Sequence, residues 1–144
     1  MMDRQFAFQK ALKSFPAATD QICDDVYDAG SAVKVFEGYS CCPPKLTANL
    51  KCTAATPTYR VRLVGADAAN LTDNPVVLAD TGVSAAMAVG DIKHIEIPVV
   101  GQTVAKRYYG IFVTLAGALG TVDGTAAVRL SPQSNMPYQK AAVP

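Results

Sequence analysis

The chain has 144 residues, with 13 Lys+Arg against 12 Asp+Glu and a formal charge of +1, so it carries no general field that would draw it to DNA, RNA or an acidic membrane. That length is one domain, spanning 1–144, and it can bury a core without disulfide or metal staples. Charged residues are 17% and hydrophobic residues 50% of the chain, a weakly charged composition that suits a protein packed against other subunits.

The first 15 residues, MMDRQFAFQKALKSF, break their apolar positions with charges and glutamines, which reads neither as a signal peptide nor as a membrane span. Phe8, Leu12 and Phe15 are spaced for one or two amphipathic helical turns ended by Pro16, and an extended arm from Met1 to Ala18 is the competing expectation. The first clear strand is Leu46–Cys52, where Leu46, Ala48, Leu50 and Cys52 alternate with Thr47, Asn49 and Lys51. Tyr59–Val64 follows, with Tyr59, Val61 and Leu63 on one face and Arg60 and Arg62 on the other. The two runs are expected to pair antiparallel across residues 53–58, with Pro57 kept out of the ladder because it lacks an N–H. Further strands are expected at Pro75–Ala79, Ile92–Val99, Arg107–Leu115 and Thr125–Leu130, and Val83–Val89 is read as a loop or an extra short strand. Gly65, Gly82, Gly90, Gly101, Gly117, Gly120 and Gly124 lie between or beside these runs, where turns are expected. Residues 131–144 hold three prolines and no sheet period, which marks a C-terminal arm. Many short strands, frequent glycine and almost no helical period indicate an all-β antiparallel sandwich or jelly roll with N- and C-terminal arms.

Chemistry-bearing motifs are scarce. GxSxG, HExxH, GxxxxGK[ST] and GxGxxG do not occur. Cys23, Cys41, Cys42 and Cys52 are too irregularly spaced for a secreted disulfide framework, fit a reducing compartment, and lack the CxxC pair of a zinc site. They read best as small hydrophobic residues, so neither a metal nor a cofactor is expected. His94 alternates outward with Glu96, and an enzyme would need Cys41, Cys42 or Cys52 as a nucleophile beside it, which no spacing demands. Arg60 and Arg62 could hold partner carboxylates in their planar donor forks, or simply face solvent. Lys106-Arg107-Tyr108-Tyr109 sets two cations beside two aromatics. It reads as an interface anchor, or as a core Tyr109 beside an exposed Tyr108.

The order of these features carries a resemblance. The turn residues Asp28-Ala29-Gly30, the run Tyr59-Arg60-Val61-Arg62-Leu63, the strand Lys106-Arg107-Tyr108-Tyr109-Gly110-Ile111-Phe112-Val113, the segment Gly124–Leu130 and the ending Gln133-Ser134-Asn135-Met136-Pro137-Tyr138 together resemble the capsid cement (decoration) proteins of tailed bacteriophages, of the Bordetella-phage type. Cys41-Cys42-Pro43-Pro44 and the long N-terminal segment depart from that pattern. The resemblance implies a jelly roll that assembles as a homo-dimer or homo-trimer on the outer capsid surface of a virion and bridges subunits of the major capsid protein. The contacts are then expected from the arms and from Phe6, Phe8, Arg60, Arg62, Arg107, Tyr108, Pro137 and Tyr138. A receptor- or carbohydrate-binding module of a phage tail or spike is the alternative, with Tyr39 and Tyr108 lining a groove.

Overall fold

The computed structural model describes residues 8–16, 20–36, 44–99, 102–116 and 121–129. The strands are β1 (Gln9–Pro16), β2 (Gln21–Ile22), β3 (Tyr27–Val33), β4 (Lys45–Ala54), β5 (Thr58–Ala66), β6 (Val76–Asp80), β7 (Ile92–Pro98), β8 (Lys106–Ala116) and β9 (Thr121–Arg129). They form two sheets in which every pairing is antiparallel: one in the order β1-β9-β4-β7, the other in the order β2-β8-β5-β6 with β3 also on β8. Because β2 and β3 lie successively along the same edge of β8, they act as one interrupted strand, and the chain alternates between the sheets in the order of a jelly roll.

Alternation builds the core. Leu46, Ala48, Leu50 and Cys52 of β4 and Val122, Ala126 and Val128 of β9 face Val61 and Leu63 of β5 and Tyr109, Ile111, Val113 and Leu115 of β8, all buried. Gly124 is a strand residue rather than the expected turn. A Cβ there would stand 2.5 Å from Leu50 Cδ2 and 3.0 Å from the Asn49 carbonyl oxygen, so the residue is small because the side chain of Leu50, its cross-strand partner on β4, lies over it. Gly65 is likewise inside β5, while Gly82 and Gly90 hold the positive φ of real turns.

The expected hairpin between β4 and β5 is corrected by the topology: they belong to different sheets. Both flanks of β4 are taken by β9 and β7, and both flanks of β5 by β8 and β6, so the two apolar faces meet across the core instead of side by side. Ala55 at φ 55° turns the chain out of one sheet, and Pro57 stays outside both ladders.

Residues 81–91 have no regular structure yet seal one side of the sandwich. Thr81 and Ser84 continue the line of β6 along β5, each giving its N–H to a β5 carbonyl (Val61 and Tyr59) and accepting the same residue's N–H on its hydroxyl, at 2.8–3.1 Å. The Met87 N–H then bonds the Pro57 carbonyl, the Gly90 N–H bonds Cys52, and the chain enters β7 on the other sheet. Met87 is buried under this strap. On the opposite side Gln9 and Lys13 of β1 both bond the Asp24 carboxylate, at 2.8 Å, and tie the two sheets together there.

β1 replaces the helical turns weighed from the sequence. Phe8 and Phe15 are both buried although an odd number of positions separates them, because the register against β9 shifts between Gln9 and Lys13 and resets the alternation. Phe8, expected at a capsid contact, is therefore corrected to a core side chain with 0% exposure. Residues 131–144 of the expected C-terminal arm lie outside the described residues.

Candidate functional site

The outer face of the five-stranded sheet carries Arg60, Arg62 and Tyr108, and Arg107, which alternation along β8 sets in phase with inward-facing Tyr109, reaches its rim through Asp28 and the Tyr108 ring. Across this face Arg60 opposes Thr114, Arg62 opposes Phe112, Ala66 opposes Tyr108, and Asp28 of β3 lies opposite Tyr108 on the far side of β8. The C-terminal end of β5 and the middle of β8 are apolar on both faces. Val64, Ala66 and Phe112 form a second buried cluster with Leu71, whose segment folds over them, and Ile22, Val26 and Tyr108 pack at its rim. This outer cluster is why Leu63-Val64-Gly65-Ala66 and Ile111-Phe112-Val113 read as continuous apolar runs rather than alternating ones.

The arginines on this face meet the chain's own carboxylates. Arg60 grips Asp80 with two nitrogens, its Nε at 3.0 Å from Oδ1. Arg107 does the same to Asp28, with Nε at 2.8 Å and Nη2 at 3.1 Å, and its guanidinium stands 5.0 Å from the Tyr108 ring centre. Arg62 lies 5.5 Å from the centre of the Phe112 ring and sends Nη2 to Asp20 at 2.6 Å and to the Thr114 hydroxyl at 3.2 Å. The Thr114 hydroxyl itself donates to Asp20 at 2.6 Å. That stacked position buries Arg62 Nε with no hydrogen-bond partner among the described residues, a desolvation cost on the order of 1–3 kcal/mol. Lys106, nearly fully buried, reaches Asp67 at 3.4 Å.

These pairs set the carboxylate pKa values. Asp20 is lowered by the Thr114 hydroxyl and then by Arg62, Asp28 by Arg107 and then by the Gly30 N–H, and Asp80 chiefly by Arg60. Arg60 and Arg107 are correspondingly raised by Asp80 and Asp28. The four cations Arg60, Arg62, Lys106 and Arg107 are matched by Asp80, Asp20, Asp67 and Asp28, so the face is polar, oriented and close to neutral.

The cysteine–histidine arrangement is not assembled among the described residues. Cys52 is fully buried on the inner face of β4, whereas His94 stands on the outer face of the same sheet with Nδ1 against Asn49 Oδ1. Cys23 is also buried, and burial pushes its thiol up to about 12, which keeps it protonated. Cys41, Cys42, Tyr39, Phe6, Pro137 and Tyr138 lie outside the described residues. Tyr109 takes the core alternative weighed for the Tyr108–Tyr109 pair. Its hydroxyl donates to the Val33 carbonyl and accepts from Gln102 Nε2 at 2.6 Å, while Gln102 Oε1 accepts the Phe36 N–H at 2.9 Å. The aspartate partners on β2, β3 and their flanks were missed from the sequence. Asp20 and Asp28 sit among turn-forming residues, and their pairing to β8 spans a long stretch of chain.

No family model and no curated protein matches the chain. Among solved structures it is similar to the CBM22-1–GH10 modules of the N-terminal endo-1,4-beta-D-xylanase 10B of Clostridium thermocellum, complexed with xylohexaose, at 12% identity and a TM-score of 0.46. The match covers 89% of this chain, which spans only 27% of the length of that xylanase chain.

Proposed function

We propose that the protein is a structural virion component, a capsid cement protein that binds the outside of an icosahedral phage head and bridges neighbouring subunits of the major capsid protein. The observation that carries this reading is the placing of Arg60, Arg62 and Tyr108 on one broad sheet face with Arg107 at its rim, each guanidinium already fixed in place by an aspartate. A guanidinium has five donors and a bidentate pair takes two of them. Arg60 and Arg107, with 38% and 44% of their side chains exposed, keep donors facing outward at little further cost in side-chain entropy. A near-neutral face of this kind discriminates by geometry rather than by long-range attraction, which suits a ligand that must wait for an assembled lattice. Binding only to the assembled shell then stabilises it by mass action, multiplied over many copies.

The test is co-sedimentation of the purified protein with expanded capsids of its own phage that lack it, followed by heating of the loaded particles. The expected result is saturable binding at a fixed ratio per capsid subunit, raised resistance to disruption, and loss of binding in Arg60→Glu/Arg107→Glu. Failure to bind intact capsids, together with glycan binding by a monomer, would replace this reading with that of a carbohydrate-binding tail or spike module.

A further inference from the structure

We propose that Lys106 and Asn74 become joined by an isopeptide bond that forms within the folded chain, with Asp67 as the general base. The inference concerns a buried amine and stands independently of the capsid role.

The topology brings three functional groups to one end of the five-stranded sheet. Lys106 opens β8, and Asp67 directly follows β5, whose last residue, Ala66, pairs with Tyr108. Asn74 lies at the end of the next segment, two residues before β6. The Asp67 N–H bonds the Asp73 carbonyl at 3.0 Å and closes that segment at its base, which sets Asn74 beside Asp67. One oxygen then collects both partners: Asp67 Oδ2 accepts from Lys106 Nζ at 3.4 Å and from Asn74 Nδ2 at 3.3 Å.

The surroundings of each group suit amide exchange. The Lys106 side chain is 3% exposed, and among the described residues this one long contact is the hydrogen bond of its Nζ, which repays little of the cost of burying an ammonium group. An amine becomes a nucleophile when a base beside it takes its proton, and Asp67 is that base. Asn74 is the fitting acceptor for a reason written in the sequence. Asparagine side chains are ordinarily consumed by the backbone nitrogen of the following residue, which attacks to give a succinimide. Here the following residue is Pro75, whose nitrogen carries no hydrogen, so that route is closed and the carboxamide is kept for another amine. The Asn74 side chain is exposed and can turn Cγ toward Nζ while Nδ2 stays within reach of Asp67.

The step balances without an oxidant or a co-reactant. The Nζ–Cγ bond forms and the Cγ–Nδ2 bond breaks. Two protons pass from Nζ, by way of the Asp67 carboxylate, to Nδ2, which departs as ammonium with the charge that Lys106 carried. Asp67 ends as it began. The product bolts the start of β8 to the chain entering β6, across the end of β5, whose two flanks those strands occupy.

The test is the intact mass of the full chain under denaturing conditions, followed by a tryptic map. The expected mass is one ammonia below that of the sequence, and the map is expected to hold a branched peptide that links the segment with Asn74 to a Lys106 that trypsin no longer cuts. Asn74→Gly tolerates the φ of 49° without a carboxamide, and is expected to show the full mass and cleavage after Lys106. Asp67→Ala retains both the amine and the carboxamide. It is expected to stay at full mass through prolonged incubation at neutral pH while circular dichroism shows it folded, because removing a general base slows a reaction about a hundredfold or more. A folded wild type at full mass, a loss of ammonia that maps to other residues, a loss of water through a Lys106–Asp67 bond, or a bond that forms undiminished in Asp67→Ala would each overturn the proposal.

Discussion

The two outer faces of this sandwich are built from the same alternating strands and yet differ in kind. Over the five-stranded sheet the 67–75 segment folds back and Ile22 and Val26 pack in from the β2–β3 edge, so Val64, Ala66, Leu71 and Phe112 are buried on the outside and four ion pairs frame them. The outside of the four-stranded sheet is mixed: Asn49 and His94 are exposed and Lys45 and Glu96 pair at 2.9 Å, while Thr47 and its neighbour Ala127 on the same face are buried, the Thr47 hydroxyl donating to the Ala127 carbonyl. Covering a face lets it hold charges in fixed directions.

The largest effect that sharpens this contrast comes from the cores beneath and above the five-stranded sheet. Leu63→Ala in the main core is expected to cost about 3–5 kcal/mol, and Leu71→Ala in the outer cluster about 2–3, read as midpoint shifts in urea at constant slope. Equal losses would mean that the outer cluster is as cooperative as the main core. Next in size is Gly124→Ala, expected to destabilise by about 1–3 kcal/mol because Leu50 and the Asn49 carbonyl must both give way. Arg62→Met is expected within about 1 kcal/mol of wild type in thermal melts, since the lost pair with Asp20 is offset by removing an unsatisfied buried Nε and keeping the stack on Phe112. A large loss there would show that the charged rim stabilises the covered face.

The smallest effect is the acid limb. Asp20, Asp24, Asp28 and Asp80 all titrate below the ordinary 3.8 when folded, chiefly through Thr114, Lys13, Arg107 and Arg60 respectively. Lowered folded values mean a contribution that is complete above 3.8 and is lost as pH falls through the folded pKa values. Melting temperature is expected to be flat from pH 7 to 5 and to drop below pH 4, and the Asp28→Asn/Asp80→Asn double variant is expected to reduce that drop. An unchanged acid limb in the double variant would show that these exposed pairs contribute nothing to folding.

From β4 onward the fold was largely legible because its strands alternate. Leu46 to Cys52 and Tyr59 to Leu63 state their inner and outer faces directly, and Ile92–Pro98 and Lys106–Ala116 are found within a residue or two of where they were expected. The first part was not, because its signals conflict. Phe8, Leu12 and Phe15 have helical spacing, and only a register shift that no local residue announces reconciles them with a strand. Asp28-Ala29-Gly30 has the chemistry of a turn, with the Gly30 N–H bonded to Asp28 Oδ1 at 2.8 Å, yet it lies inside β3 as an irregularity against β8. Arg60, Arg62, Arg107 and Tyr108 could be picked out individually, and the shared face of Arg60, Arg62 and Tyr108 follows from the pairing of β5 with β8, whereas Arg107, of opposite parity, joins them through Asp28 and the Tyr108 ring. Their aspartate partners could not be, since each is fixed by tertiary placement.

The reciprocal bonds of Thr81 and Ser84 to β5 have a dynamic consequence. The Val61 and Tyr59 amides are held by side-chain hydroxyls on a segment with no ladder of its own, so they can be released by peeling residues 81–91 while β8 still grips the other flank of β5. Their hydrogen-exchange rates therefore register detachment of the strap as a sub-global opening, separate from the slow exchange of amides between β5 and β8. Threonine-to-valine replacement at Thr81 would turn one of them into a fast-exchanging reporter on an otherwise protected strand.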